Sequence, residues 1–172
     1  MRSFNFLLTV FFLLFLSIMT PNSSFGQDEL GVYEHLDDYI SNDLVFTDEL
    51  YNEINLKESI NKPTIIALVY YECPGICSPL LNGLADAMDK TDIQLGEDYQ
   101  VYTISFSHTE KPPLAKKKKD SYEKLVRHGD PKNSWKFFTG DSVTISRLFD
   151  QVGFKVKKEG KEYIHPGTLI VL

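Results

Sequence analysis

A chain of 172 residues is the size of one folding unit with at most a short appendage, which excludes a two-domain enzyme. At 42% hydrophobic and 24% charged residues it lies far from the composition of chains that stay disordered. With 18 Lys and Arg against 24 Asp and Glu, its net charge of -6 repels phosphate backbones and argues against nucleic acid as a partner.

Arg2 precedes Phe6 to Met19, an uncharged apolar run of 14 residues, and Pro21, Asn22, Ser23 and Ser24 follow it. That is the length of a signal-peptide core, short of the ~20 residues that a spanning helix needs. Residues 1–26 therefore read as a signal peptide, with Ser24 and Gly26 offering small residues for cleavage before Gln27. The alternative is an N-terminal membrane anchor that reaches back to Phe4 and stays attached. No cysteine in this segment could carry a lipid. Both readings place the protein outside the cytoplasm, periplasmic or held on the outer face of the inner membrane.

Residues 27–60 are acidic and irregular. Residues 27–44 read as a mobile lead-in to a domain covering 45–172, with room for a hairpin near its start. From Pro63 the texture changes, and Thr64 to Tyr70 is a continuous β-branched and apolar run, the pattern of a strand buried on both faces. Pro79 to Lys90 spaces Leu80, Leu81, Leu84, Ala87 and Met88 at helical intervals. Tyr99 to Ser105 alternates as a second strand, and Pro113 to His128 reads as a helix whose Lys116 to Lys119 run forms a solvated face. Trp135 to Phe138 is a short strand, Asp141 or Ser142 caps a helix to about Val152, and Phe154 begins another strand. This alternation is an α/β architecture around a central sheet. Thr168 to Leu172 reads as a buried strand with nothing after it to cover its edge, so the chain is expected to be truncated at its C-terminus.

The two cysteines, Cys73 and Cys77, sit where the first buried strand turns into a helix, with three residues between them. Cys77 is expected near the helix N-terminus, where free N–H groups favour a thiolate, and Pro74 and Gly75 shape a turn that faces both sulfurs outward. A structural disulfide in an exported protein is the bland alternative, although so short a loop gains little stability from closure. Of the four histidines, His35 and His128 read as exposed and without a role. His108 follows a strand and could face the same rim as the cysteines. His165 lies just before the last apolar strand, which in such a sheet would return beside the first. Two thiolates and one imidazole make a soft three-coordinate set that suits copper and could also hold zinc.

Cys73-Pro-Gly-Ile-Cys77 after a buried strand, Ile104-Ser-Phe106, Trp135-Lys-Phe-Phe-Thr-Gly140, Val152-Gly-Phe154 and Tyr163-Ile-His165 together resemble the Sco/SenC family. The resemblance runs from about Val45 to Leu172. It implies a thioredoxin-like fold, a central mixed sheet flanked by helices, with Cys73, Cys77 and His165 as copper ligands. It also implies delivery of copper to the copper-bearing subunit of cytochrome c oxidase, with a copper donor or thiol reductant as a further partner. The enzymatic alternative is a thiol–disulfide oxidoreductase that uses Cys73 and Cys77 to reduce the acceptor's cysteines. A peroxiredoxin-type activity lacks the Thr and Arg signature expected around its thiol. Where the family commonly has Asp-Pro after the second strand, this chain has Ser107-His108. Ile164-His165-Pro166 replaces its usual Asp-His-Ser/Thr, and its closing hairpin and last helix do not follow.

Overall fold

The structure, a computed structural model, describes residues 30–160 and 162–172. The signal segment and the first residues of the lead-in lie outside the described residues. Strand β1 (Gly31–Val32) comes first, then β2 (Val45–Asp48), β3 (Glu53–Asn55), helix α1 (Leu56–Ser59) and β4 (Thr64–Val69). Helix α2 (Cys77–Lys90), β5 (Gln100–Ser105), α3 (Pro112–Tyr122), α4 (Pro131–Ser134), β6 (Trp135–Thr139) and α5 (Ser142–Val152) follow. The chain then runs through β7 (Phe154–Lys155), β8 (Lys157–Glu159), β9 (Glu162–Ile164) and β10 (Leu169–Val171).

Six strands form one mixed sheet in the order β10-β4-β5-β6-β2-β3. β4, β5 and β6 are parallel, and β10 and β2 add antiparallel strands on either side. As the sequence indicates, β4 is an apolar run with little exposure on either face. β5 departs from the expected alternation: all six of its residues are buried, because it is a central strand with β4 and β6 on its edges. The aromatic residues Tyr102, Trp135, Phe137 and Phe138 fill the core beside it, and the Trp135 indole N–H donates to Thr103 Oγ1 at 2.8 Å.

Three further expectations need correcting. The helix expected to reach His128 ends at Tyr122, and a single 3₁₀ turn over Glu123–Leu125 takes its place. Lys119 is not on a solvated face; it is buried and pairs with Glu49, whose other oxygen accepts the Phe137 N–H at 3.2 Å. Helical spacing turns Lys119 toward the sheet with Ala115 and Tyr122, and the buried Glu49 supplies the charge that permits it. Thr168 to Leu172 contributes β10 at the edge of the sheet, with Val171 71% exposed, so this strand is not buried on both faces. It does return beside the first strand of the parallel set, pairing Leu169 with Ala67 and Val171 with Ile65.

The segment before Val45 is tied to the rest of the chain. β1 pairs with β7, the Ser41 N–H donates to Gln151 Oε1, and Leu44 is fully buried. β2 and β3 supply the hairpin and join it to the main sheet. Asp141 caps α5 by accepting the N–H groups of Val143 and Thr144, and Gly153 ends that helix at φ 63°. A Cβ at Gly153 would lie 1.8 Å from the Tyr33 carbonyl oxygen, so glycine there also lets the lead-in pack against α5.

Candidate metal centre

Two segments converge at the C-terminal end of β4. The strand finishes at Val69, and the loop over residues 70–76 carries Cys73 into α2, whose first residue is Cys77. The β8–β9 hairpin, registered Lys157 with Ile164 and Glu159 with Glu162, delivers His165 from the other side. A Cβ at Gly167 would fall 2.6 Å from Ile76 Cδ1, so glycine lets the segment after His165 lie directly on the cysteine loop.

The ligand atoms of Cys73, Cys77 and His165 all lie within 4.8 Å of one another. Cys77 Sγ is 3.4 Å from His165 Nε2. His165 Nδ1 sits 3.0 Å from the Pro166 carbonyl oxygen. A carbonyl can only accept, so Nδ1 carries the hydrogen and the Nε2 lone pair faces the sulfurs, the tautomer a metal requires. Phe106 and Tyr70 hold the imidazole edge-on, at ring distances of 5.0 and 6.0 Å. Tyr163 packs against both of these aromatic rings.

Both thiols are free, and they differ. Cys77 is buried and Cys73 half-buried, so the sulfurs do not both face outward as the turn suggested. The helix start has no side-chain cap, and in the turn just before it the Gly75 N–H lies 3.4 Å from Cys73 Sγ. Burial raises the Cys73 pKa, but hydrogen bonds from the Cys77 thiol, the Cys77 and Gly75 amides and the Tyr70 hydroxyl outweigh it, and the net shift is downward. Cys77 is pushed up to about 12, first by burial and then by the sulfur of Cys73 beside it. The expectation that the helix N-terminus would activate Cys77 is therefore corrected: its amides serve the sulfur upstream, while the Cys77 side chain turns into the core. Tyr70 is likewise pushed up to about 12 by burial and by Cys73.

An alkylation experiment should expose this asymmetry. With the reduced protein and limiting iodoacetamide near pH 7, Cys73 should be modified before Cys77, with adducts mapped by peptide mass. Equal labelling would contradict the asymmetry.

His108 is exposed and lies apart from this centre, beside Glu53, Lys111 and Asp141, so it is not among the converging ligands. His35 and His128 are exposed as well. Two contributors escaped the sequence reading. Tyr70 ends a strand run, and its only signal was a phenol at the edge of an apolar stretch, where the hydroxyl must find a partner. Glu110 looked like one acid in a polar loop, yet it is buried.

No family model and no curated protein matches the chain by sequence. Among solved structures, a protein of Aquifex aeolicus VF5 ascribed to electron transfer superposes with a TM-score of 0.66 at 25% identity, covering 78% of this chain and 76% of its own. ScoI of Bradyrhizobium japonicum with copper bound superposes with a TM-score of 0.57 at 18% identity, covering 75% and 80%. ScoI of Arabidopsis thaliana with copper bound gives 0.55 at 17% identity, covering 83% and 76%. The fold is that of the Sco proteins. It is the thioredoxin-like arrangement that the sequence resemblance implied, with a Cys-Cys-His group able to hold a metal ion. Among the described residues no helix is long and apolar enough to cross a membrane.

Proposed function

We propose that this chain is an exported copper-binding protein of the Sco/SenC family and that it delivers copper during assembly of cytochrome c oxidase. The observation that carries the reading is the convergence of Cys73, Cys77 and His165 within 4.8 Å, brought together from the turn after β4 and the segment after β9. Two sulfurs and an imidazole nitrogen form a soft donor set that favours copper(I) over hard cations. The Sco fold and the copper-bound ScoI structures support that choice. Export rests on the apolar run behind Arg2, and the expected acceptor is the copper-bearing subunit of the oxidase.

In this reading copper(I) is cargo. Cys73 offers the more acidic thiol, Cys77 gives up its proton as the ion enters, and the fixed Nε2 of His165 completes the site. A half-buried Cys73 leaves a side from which an acceptor's thiols can take the ion by ligand exchange. The packed rings of Tyr70, Phe106 and Tyr163 back the imidazole.

The test is titration of the reduced protein with copper(I) against a chromophoric competitor. One equivalent should bind per chain with sulfur-to-copper charge-transfer absorption, and failure to compete would refute the reading.

One observation favours a second reading, a thiol–disulfide oxidoreductase: one thiol is favoured as thiolate while its neighbour keeps its proton. Cys73 would attack an acceptor disulfide and release one acceptor thiolate. Deprotonated Cys77 would then resolve the mixed disulfide, leaving Cys73–Cys77 oxidised and the acceptor as a dithiol. A reducing thiol protein would reset the pair.

A further inference from the structure

Glu110 reaches the cysteine loop from the neighbouring strand. It follows β5, and its carboxylate spans two consecutive amides at the start of the loop. The Tyr71 N–H donates to Oε2 at 2.8 Å and the Glu72 N–H to Oε1 at 2.9 Å. The Ser105 hydroxyl, at the end of β5, donates to Oε2 as well. Glu110 is 5% exposed, Ser105 is fully buried and Tyr71 is 2% exposed, so water does not serve the Tyr71 and Ser105 donors, while Glu72 itself is exposed.

Tyr71 is held at its other end too. Its hydroxyl lies 2.7 Å from the Phe138 carbonyl oxygen and 3.1 Å from that of Thr103. Residues 71 and 72 are thereby fixed to the sheet just before the loop turns to present Cys73, whose own N–H returns to the Tyr70 carbonyl at 3.2 Å.

We propose that Glu110 is the positioning residue of the thiol pair, its buried carboxylate fixing the loop on which Cys73 meets Cys77 and His165. The inference deepens the proposed copper and thiol chemistry and rests on that reading of the site. Glu110 is not a ligand; it acts through the backbone. A carboxylate suits the place because two oxygens accept from two adjacent amides and a hydroxyl at once. An amide offers one oxygen and sets an NH₂ group against another donor. Loop order established before the sulfurs close on an ion, or on each other, does not have to be imposed at that moment. Loosening the clamp therefore weakens copper binding and disulfide formation together.

The test compares the full parental chain with Glu110→Gln and Glu49→Gln. Glu49 is a second buried carboxylate, bonded to Lys119 and the Phe137 amide rather than to the cysteine loop, so its variant controls for lost stability. In folded protein, Glu110→Gln should lower both copper(I) affinity and the disulfide formation constant by about tenfold, about 30 mV for the two-electron couple. Glu49→Gln should lower the melting temperature while leaving both constants within about twofold. Parental constants in Glu110→Gln, or equal losses in Glu49→Gln, would overturn the assignment. If Glu110→Gln does not fold, Glu110→Asp, with both oxygens on a shorter arm, replaces it. A loss in both constants then supports the clamp and parental values refute it. The disulfide constant reads Glu110 without copper, so a parent that fails to bind copper refutes the proposed function and leaves this test intact.

Discussion

Cys77→Ser is expected to abolish tight copper binding, with affinity for copper(I) falling at least about a thousandfold, about 4 kcal/mol. A serine hydroxyl is hard and stays protonated near neutrality, so the remaining sulfur and imidazole cannot match the parental donor set. Cys73→Ser should fall comparably, because it too removes a sulfur. The two differ in their pH dependence. In the parent, binding must expel the proton that Cys77 holds up to about 12. Protons compete with the ion, so apparent affinity should rise by at least about tenfold per pH unit between roughly pH 6 and 8. Cys77→Ser loses that proton from the exchange, and its weak residual binding should follow a shallower profile. Competition titrations across pH would check both statements. One tightly bound equivalent in either variant would refute the site.

The chemistry of the centre was more legible in the sequence than its surroundings. Cys73 and Cys77 stand between a continuous apolar run and a helical period, which is enough to place both at a strand-to-helix turn. The apolar run beginning at Thr168 is enough to bring the segment after His165 back beside β4. The asymmetry of the thiols was not readable, because it depends on where a sulfur points. Cys77 begins the helix as expected, yet its side chain packs into the core and the free amides of the turn reach Cys73. Glu110 was invisible for a related reason: a carboxylate in Ser107-His-Thr-Glu110 looks solvated until β4 and β5 are laid side by side. Lys119 misled in the same manner. A four-lysine run reads as surface, and only the hairpin carrying Glu49 shows that one of the four is buried.

His165→Ala separates the two functional readings. The substitution removes the nitrogen donor and leaves both sulfurs, the Gly75 amide and the Glu110 clamp in place. Thiol exchange depends on thiolate fraction, leaving-group pKa and access, and the main influences on Cys73 are its burial, the Cys77 thiol, the Cys77 and Gly75 amides and Tyr70 rather than the imidazole. The Cys73–Cys77 couple should therefore stay within about 30 mV of the parent, tenfold in its equilibrium constant. Copper affinity should fall by about a hundredfold or more, because a two-sulfur site at a half-open mouth is exposed to competing thiols. Between Phe106 and Tyr70 the alanine leaves an apolar gap that supplies no replacement donor. In cells that rely on this protein for oxidase assembly, the copper-delivery reading expects His165→Ala to fail with its redox couple intact. Full oxidase activity in those cells, beside a measured loss of copper affinity, would favour the reductase and overturn the ranking of the two.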